Sequence, residues 1–174
     1  MTCAHHTVRR LTVADTAAYK ACRLESLKTY PDAFGTSYAE DEARPSTYFS
    51  DVLKPDSDAS AFSGVFGGFV EDGLMGIVGF YKSQPVRMQH NGILCAMYVS
   101  AGLQGSSIAG DLLTAVLSHA KGRVELMKLS VVASNGRARR FYEKHGFTAY
   151  GIEPRALKTH AGYLDEILMW REVL

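Results

Sequence analysis

The apolar positions along the chain follow two periods. Val8 to Leu11 reads as a first strand. Thr12 then offers an N-cap with Asp15 three residues on, a variant of the capping box. Ala18, Cys22 and Leu24 to Leu27 give the following helix its apolar face, and residues 30–35 (YPDAFG) break it. Pro45 opens a second short helix carrying Tyr48, Phe49, Val52 and Leu53. The polar stretch Lys54 to Ser60 predicts a loop. Phe62 to Val70 and Leu74 to Tyr81 read as strands, with a hairpin signal at Glu71-Asp72-Gly73. Ile93 to Val99 (ILCAMYV) is continuously apolar, which predicts a central strand buried on both faces. A Gly/Ser-rich turn over Gly102 to Ala109 leads into a helix starting near Ser106. Ile108, Leu112, Val116 and Ala120 form its apolar stripe, and Gly122 stops it. Glu125 to Ala133 reads as a strand, and residues 134–147 as a short helix closed by Gly146. Phe147 to Ile152 and Tyr163 to Trp170 are the last strands, joined by a loop over Pro154 to Gly162. The order β-α-α-β-β-β-α-β-α-β-β is that of a mixed α/β sheet with helices packed on it.

Composition narrows the class. The 174 residues suit one domain with a real core, so residues 1–174 are expected to form a single domain. Net charge is +1, so no global field steers the chain to nucleic acid or an anionic membrane. No apolar run approaches the length of a membrane span. The N-terminus lacks an apolar signal region. Cys3, Cys22 and Cys95 are odd in number and show no CxxC spacing, the pattern of reduced thiols in a cytoplasmic protein. His5 and His6 read as a frayed tail.

The segment MYVSAGLQGSSIAGDLL, residues 97–113, carries the first chemical signal. A buried strand ends at Val99, small residues follow, and a helix begins. The first amides of a helix lack intrahelical partners, and with the dipole they suit a phosphate or pyrophosphate. Between Arg87 and Lys121 there is no Lys or Arg, which excludes a P-loop. An ordinary small-residue connection fits the segment equally well.

Two stretches together resemble the GNAT superfamily of acyl-CoA-dependent N-acyltransferases, over nearly the whole chain. The family turn Q/R-x-x-G-x-G/A is matched by Gln104-Gly105-Ser106-Ser107-Ile108-Ala109, with Ser107 where glycine is usual. The family motif N-x-x-A-x-x-F/L-Y-x-x-x-G-F is intact from Asn135 through Ala138, Phe141, Tyr142 and Gly146 to Phe147. The resemblance implies an α/β (α+β) single-domain fold of about seven strands and four helices, with splayed central strands. It implies acetyl-CoA as cofactor and no metal. Met97, Tyr98 and Val99 would pair with the pantetheine. The amides of Gln104, Gly105, Ser106, Ser107, Ile108 and Ala109 would hold the pyrophosphate. Asn135 would bond the pantetheine or cap its own helix. Arg137, Arg139, Arg140 and Lys144 are within reach of the adenosine phosphate or are plain surface charges.

Ala138, Phe141, Tyr142 and His145 share one helix face. Spacing alone makes Tyr142 a core aromatic. The resemblance makes it a general acid, because a phenol of pKa about 10 can protonate a leaving thiolate whose conjugate acid is near 8.5. The base is harder to find. An alkylammonium of pKa about 10.4 costs about 4.6 kcal/mol to deprotonate at pH 7. The resemblance suggests a glutamate five residues before the asparagine, as in ribosomal-protein alanine acetyltransferases, or one on the central strand. The chain has Ser130 at the first place and none at the second. Glu40, Glu42, His90, Asp165, Glu166 or a water relay remain. The acceptor pocket is expected between the loop after the first helix and the last hairpin, at Phe34, Tyr38, His160 and Tyr163. The expected activity is acetyl transfer to a primary amine of a small molecule or peptide, with no nucleic acid or membrane partner and a homodimer as an option. The rival is a non-catalytic acyl-CoA sensor that kept the fold, supported by Ser107 and Ser130.

Overall fold

The computed structural model describes residues 5–54 and 63–173. Its seven strands are β1 His6–Arg10, β2 Ser63–Val70, β3 Gly73–Lys82, β4 Asn91–Val99, β5 Leu126–Val132, β6 Thr148–Thr159 and β7 Gly162–Glu172. Its helices are α1 Thr16–Thr29, α2 Tyr38–Ala43, α3 Ser46–Leu53, α4 Ile108–Ala120 and α5 Gly136–Lys144. The strands form one sheet in the order β1-β2-β3-β4-β5-β7-β6. Every neighbouring pair is antiparallel except β4 with β5.

Helices cover both faces, which is why the middle strands are apolar on both sides. On one face α4 buries Ile108, Leu112, Leu113 and Val116 against Phe66, Val78, Leu94, Met127 and Leu129. On the other, Tyr19 and Cys22 of α1 and Phe49 and Leu53 of α3 pack on Val65, Phe69 and Ile77.

The decisive feature is the middle of the sheet. β4 and β5 pair only over Asn91↔Leu126, Gly92↔Met127 and Ile93↔Lys128. Beyond Ile93 the two strands part. Parallel ladders leave no slack of their own, so the split must be imposed from outside the pair. A bulge does this. Between Ile77 and Gly79 the β3–β4 register shifts, and Ala96 sits at φ 52. The extra residue also turns the side chains over. Leu94 faces the α4 core and Cys95 the opposite side, while beyond the bulge Met97 and Val99 return to the α4 side.

Several expectations need correction. His6 belongs to β1 and contacts Asp111 at 2.6 Å, so it is not a frayed tail. The helix after Thr12 starts with a 3-10 turn, Val13–Asp15, before α1. Asp15 accepts from the Thr12 amide at 2.8 Å and also pairs with Arg9. Helix α2 was signalled by Ser37-x-x-Glu40, a capping box in which the Ser37 amide donates to Glu40 at 2.7 Å. Its six residues were too few for periodicity to reveal. Cys95 is exposed, so the central strand is not buried on both faces throughout. Pro154 to Gly162 is not a loop: β6 runs on to Thr159, with a register shift between Glu153 and Leu157 that absorbs Pro154. Cys3, Phe62 and residues 55–60 of the expected polar loop lie outside the described residues.

The α4 core sets stability. Leu113 is fully buried, so Leu113→Ala is expected to cost about 2–5 kcal/mol. Urea unfolding will show a lower midpoint with an unchanged slope.

Candidate active site

The split opens a cavity of about 670 Å³. Met97, Tyr98 and Val99 of β4 form one wall, the turn from Leu103 to Ser107 with the start of α4 another, and α5 the third.

The turn is short of internal partners. The Gln104 amide donates to Ala101 and the Ser106 amide to Leu103, so those two are occupied. The amides of Gly105, Ser107, Ile108 and Ala109 make no backbone hydrogen bond among the described residues. Gly105 holds φ 88, a conformation that favours glycine, and nothing lies within 4 Å of where its Cβ would be. The helix starts at Ile108 rather than near Ser106, with Ser107 as its N-cap. One wall residue is acidic. Asp111 lines the cavity in the first turn of α4, and His6 pairs with its carboxylate. Gln104 donates through its amide nitrogen to the Tyr30 hydroxyl and accepts from Arg137, so a polar chain links the end of α1, the turn and α5.

Helix α5 begins at Asn135, whose side chain accepts from the Ala138 amide at 3.1 Å. The capping reading of Asn135 is therefore met, and the residue also lines the cavity. One helical face then presents Ala138, Phe141, Tyr142 and His145. Tyr142 is 6% exposed, its ring edge-on to Phe141 and Phe147. Burial pushes its pKa up, with Cys95 adding to the rise. No hydrogen bond among the described residues reaches its hydroxyl. His145 Nδ1 faces the Phe141 carbonyl at 2.8 Å and donates to it.

Cys95 lies in β4 on the side away from the α4 core and is not among the residues that line the cavity. Burial pushes its thiol up to about 11, while the nearby Arg23 charge opposes the rise. Tyr98 donates to Glu25 at 2.6 Å, and burial together with that carboxylate pushes its phenol up to about 12.

Of the residues singled out from the sequence, Met97, Tyr98, Val99, Gln104, Gly105, Ser106, Ser107, Ala109, Asn135, Tyr142 and Phe34 line this cavity. Ile108 does not: its side chain is in the α4 core. Tyr38, His160 and Tyr163 lie elsewhere. Tyr38 bonds Glu42, and Tyr163 at the β6–β7 turn is 53% exposed under Arg155 and Lys158. None of the five candidate bases lines the cavity. Glu40 caps α2, Glu42 accepts from Tyr38, and Asp165 accepts from the Arg155 amide at 2.7 Å. His90 borders a separate cavity at the other end of β4, and Glu166 sits opposite Glu153 in the sheet. Tyr30, Asp111 and Thr114 were not foreseen. Helix phase alone would have found Thr114, one turn beyond Gly110, but Tyr30 reaches the cavity only through the tertiary path of its loop.

The sequence profile of the acetyltransferase (GNAT) family matches residues 22–147. The chain belongs to the acetyltransferase (GNAT) family. It is therefore an acyltransferase. Solved structures agree on the fold. A GNAT-family acetyltransferase from Streptococcus pneumoniae superposes with a TM-score of 0.85 at 22% identity, covering 98% of this chain and 100% of that one. yncA from Salmonella typhimurium, solved with its cofactor acetyl-CoA, gives 0.82 at 16% identity over 97% and 94%. A ribosomal-protein-alanine N-acetyltransferase from Brucella melitensis gives 0.77 at 17% identity over 95% and 99%. A search of curated proteins finds no significant match. Among the described residues no helix is long and apolar enough to cross a membrane, and no three His, Cys, Asp or Glu side chains cluster as metal ligands.

The raised thiol gives a pH test. With a pKa of about 11, Cys95 is almost wholly protonated at neutral pH. Its alkylation by iodoacetamide, followed by peptide mass spectrometry, should rise about tenfold per pH unit from about pH 7 to 10. A plateau above about pH 8.5 would mark an ordinary thiol.

Proposed function

We propose that this single-domain acyltransferase takes an acetyl group from acetyl-CoA and gives it to a primary amine by direct attack in a ternary complex. The observation that carries the reading is the cavity between the parted strands, where free amides at one end and the unpaired hydroxyl of the largely buried Tyr142 share one space. The residues fit the cofactor. Gly105, Ser107, Ile108 and Ala109 offer amides for the pyrophosphate, and their small neighbours let a phosphate approach. The unpaired edge of β4 at Met97 to Val99 offers backbone groups for the pantetheine amides. Arg137 and Lys144 line the same cavity and supply positive charge. The Asp111 carboxylate in the first turn of α4 is held by His6 at 2.6 Å.

Acetyl-CoA, when bound, supplies a thioester whose acyl carbon bonds to the amine nitrogen as the C–S bond breaks. Tyr142 holds a proton for the sulfur that leaves. Its raised pKa keeps the hydroxyl protonated across the working range. No carboxylate placed to remove the amine proton lines the cavity near Tyr142, so deprotonation is assigned to water relayed along the open β4 edge.

Two measurements check this. Acetyl-CoA at 100 times its Kd should stabilise the protein by about 2.7 kcal/mol and raise Tm by several degrees. No shift at millimolar ligand would refute cofactor binding, and a shift without turnover of any amine would leave acyl-CoA sensing as the function. Tyr142→Phe should lower kcat by about 10²- to 10⁴-fold while keeping the acetyl-CoA shift. Unchanged turnover would remove Tyr142 from the chemistry.

A further inference from the structure

Tyr98 belongs to the edge of β4 that the split sets free. It lines the cavity and is 4% exposed. Its hydroxyl donates to Glu25 at 2.6 Å. Glu25 lies on α1, is exposed, and is not among the residues that line the cavity. Among the described residues no Lys, Arg or His pairs with it. A carboxylate with no counter-ion thus holds the hydroxyl of a cavity-lining tyrosine, and one hydrogen bond joins the cavity wall to solvent.

The surroundings of the phenol suit proton passage. A hydroxyl has one proton to donate and two lone pairs to accept with. Tyr98 gives its proton to Glu25, so its lone pairs remain for water in the cavity. Thr29 and Ser100 flank the same hydroxyl. The Ser100 Oγ is buried and has no hydrogen-bond partner. The titratable side chains that face the pair are Cys22 on α1, whose thiol feels Glu25, and Tyr30, whose ring stands edge-on to Tyr98 at 6.2 Å. Neither is a cation that would hold Glu25 in an ion pair.

We propose that Glu25 ends the proton relay along β4: the ammonium proton of the acceptor passes through water to the Tyr98 oxygen as the Tyr98 proton passes to Glu25, which returns it to bulk solvent. The inference rests on the acetyltransferase reading and deepens it by naming the proton acceptor of that site. The N–H bond of the ammonium breaks, and the freed lone pair forms the C–N bond. As the C–S bond breaks, the nitrogen sheds a second proton on becoming an amide. That proton replaces the one Tyr142 gives to the sulfur. One proton per turnover is therefore lost, and it leaves by Glu25. Burial, with Glu25 adding to it, pushes the Tyr98 phenol up to about 12. The phenol need not ionise, because it takes one proton as it gives another.

The test uses the intact protein and acetyl-CoA with a panel of alkylamines, amino-acid amides and short peptides. CoA release is followed from pH 7 to 10 on the best acceptor. Glu25→Gln should lower kcat at pH 7 by about 10²- to 10⁴-fold. The loss should shrink as pH rises, because a growing share of the amine arrives neutral and needs no base. Tyr98→Phe should behave alike, and the double variant should lose no more than either single change, because both break one relay. A hydrogen bond that only fastens α1 to β4 would give the same loss at every pH. Nuclear magnetic resonance of ring-labelled tyrosine needs no turnover: the Tyr98 phenol should titrate at lower pH in Glu25→Gln than in the wild type. If Tyr98→Phe fails to fold, the two Glu25 measurements decide. Unchanged kcat, a loss equal at every pH, or a Tyr98 titration that does not move would each overturn the proposal and keep the acetyltransferase. A thermal shift with acetyl-CoA but turnover of no amine would instead remove the transfer reading, and this proposal with it.

Discussion

The parting of β4 from β5 after three paired residues is the constraint on which the rest depends. A parallel pair that continued would leave no cavity, because its backbone groups would satisfy one another. Parting frees the edge of β4 from Leu94 to Val99 and exposes it to a ligand instead of to β5. The bulge at Ala96 holds the strands open, and a non-glycine residue at φ 52 is a local cost that the packed sheet on both sides sustains. Helices α4 and α5 follow from the same geometry. Each leaves the C-terminal end of one of the two parted strands, so their N-termini and inner faces close the cavity from opposite sides.

Electrostatics then sort the cavity into two ends. At the turn, unpartnered amides and the α4 dipole favour negative charge, and Asp111 is tied to His6. At the floor, burial disfavours charge, raising the Tyr142 phenol. An extended ligand with an anionic end and a neutral sulfur end matches that gradient. Neither end would work alone. The amides without the floor would be an anion site, and the floor without the amides would be an ordinary hydrophobic cleft.

The opposite face of the sheet adds a second polar centre, built by α1 and the segment leading into α2. Arg23, Asp41, Arg44 and Thr36 form a buried network with one donor left over. Phe34 is the partition between this network and the cavity.

The sequence by itself determined most of the elements, though not α2 or the full length of β6, and the turn and helix that line the cavity. Residues from Met97 to Ala109 and from Asn135 to Phe147 are local: a strand end, a turn and a helix start fix which amides and which helical face are presented, whatever surrounds them. Tyr142 was legible for the same reason, since the phase of α5 alone puts it inward. The tertiary structure decided everything that depends on separate elements meeting. Tyr38, His160 and Tyr163 were expected near the acceptor, and the paths of the loop and the hairpin carry them away from the cavity. Arg23 was not singled out from the sequence, because only tertiary packing buries it. Ile108 fits the turn motif by position, yet its side chain belongs to the core because helix phase, not motif, sets its direction. Local backbone preferences act within a few residues and are written in the chain. Burial and charge are set by neighbours distant in sequence, and those exist only once the sheet has parted and the helices have closed over it.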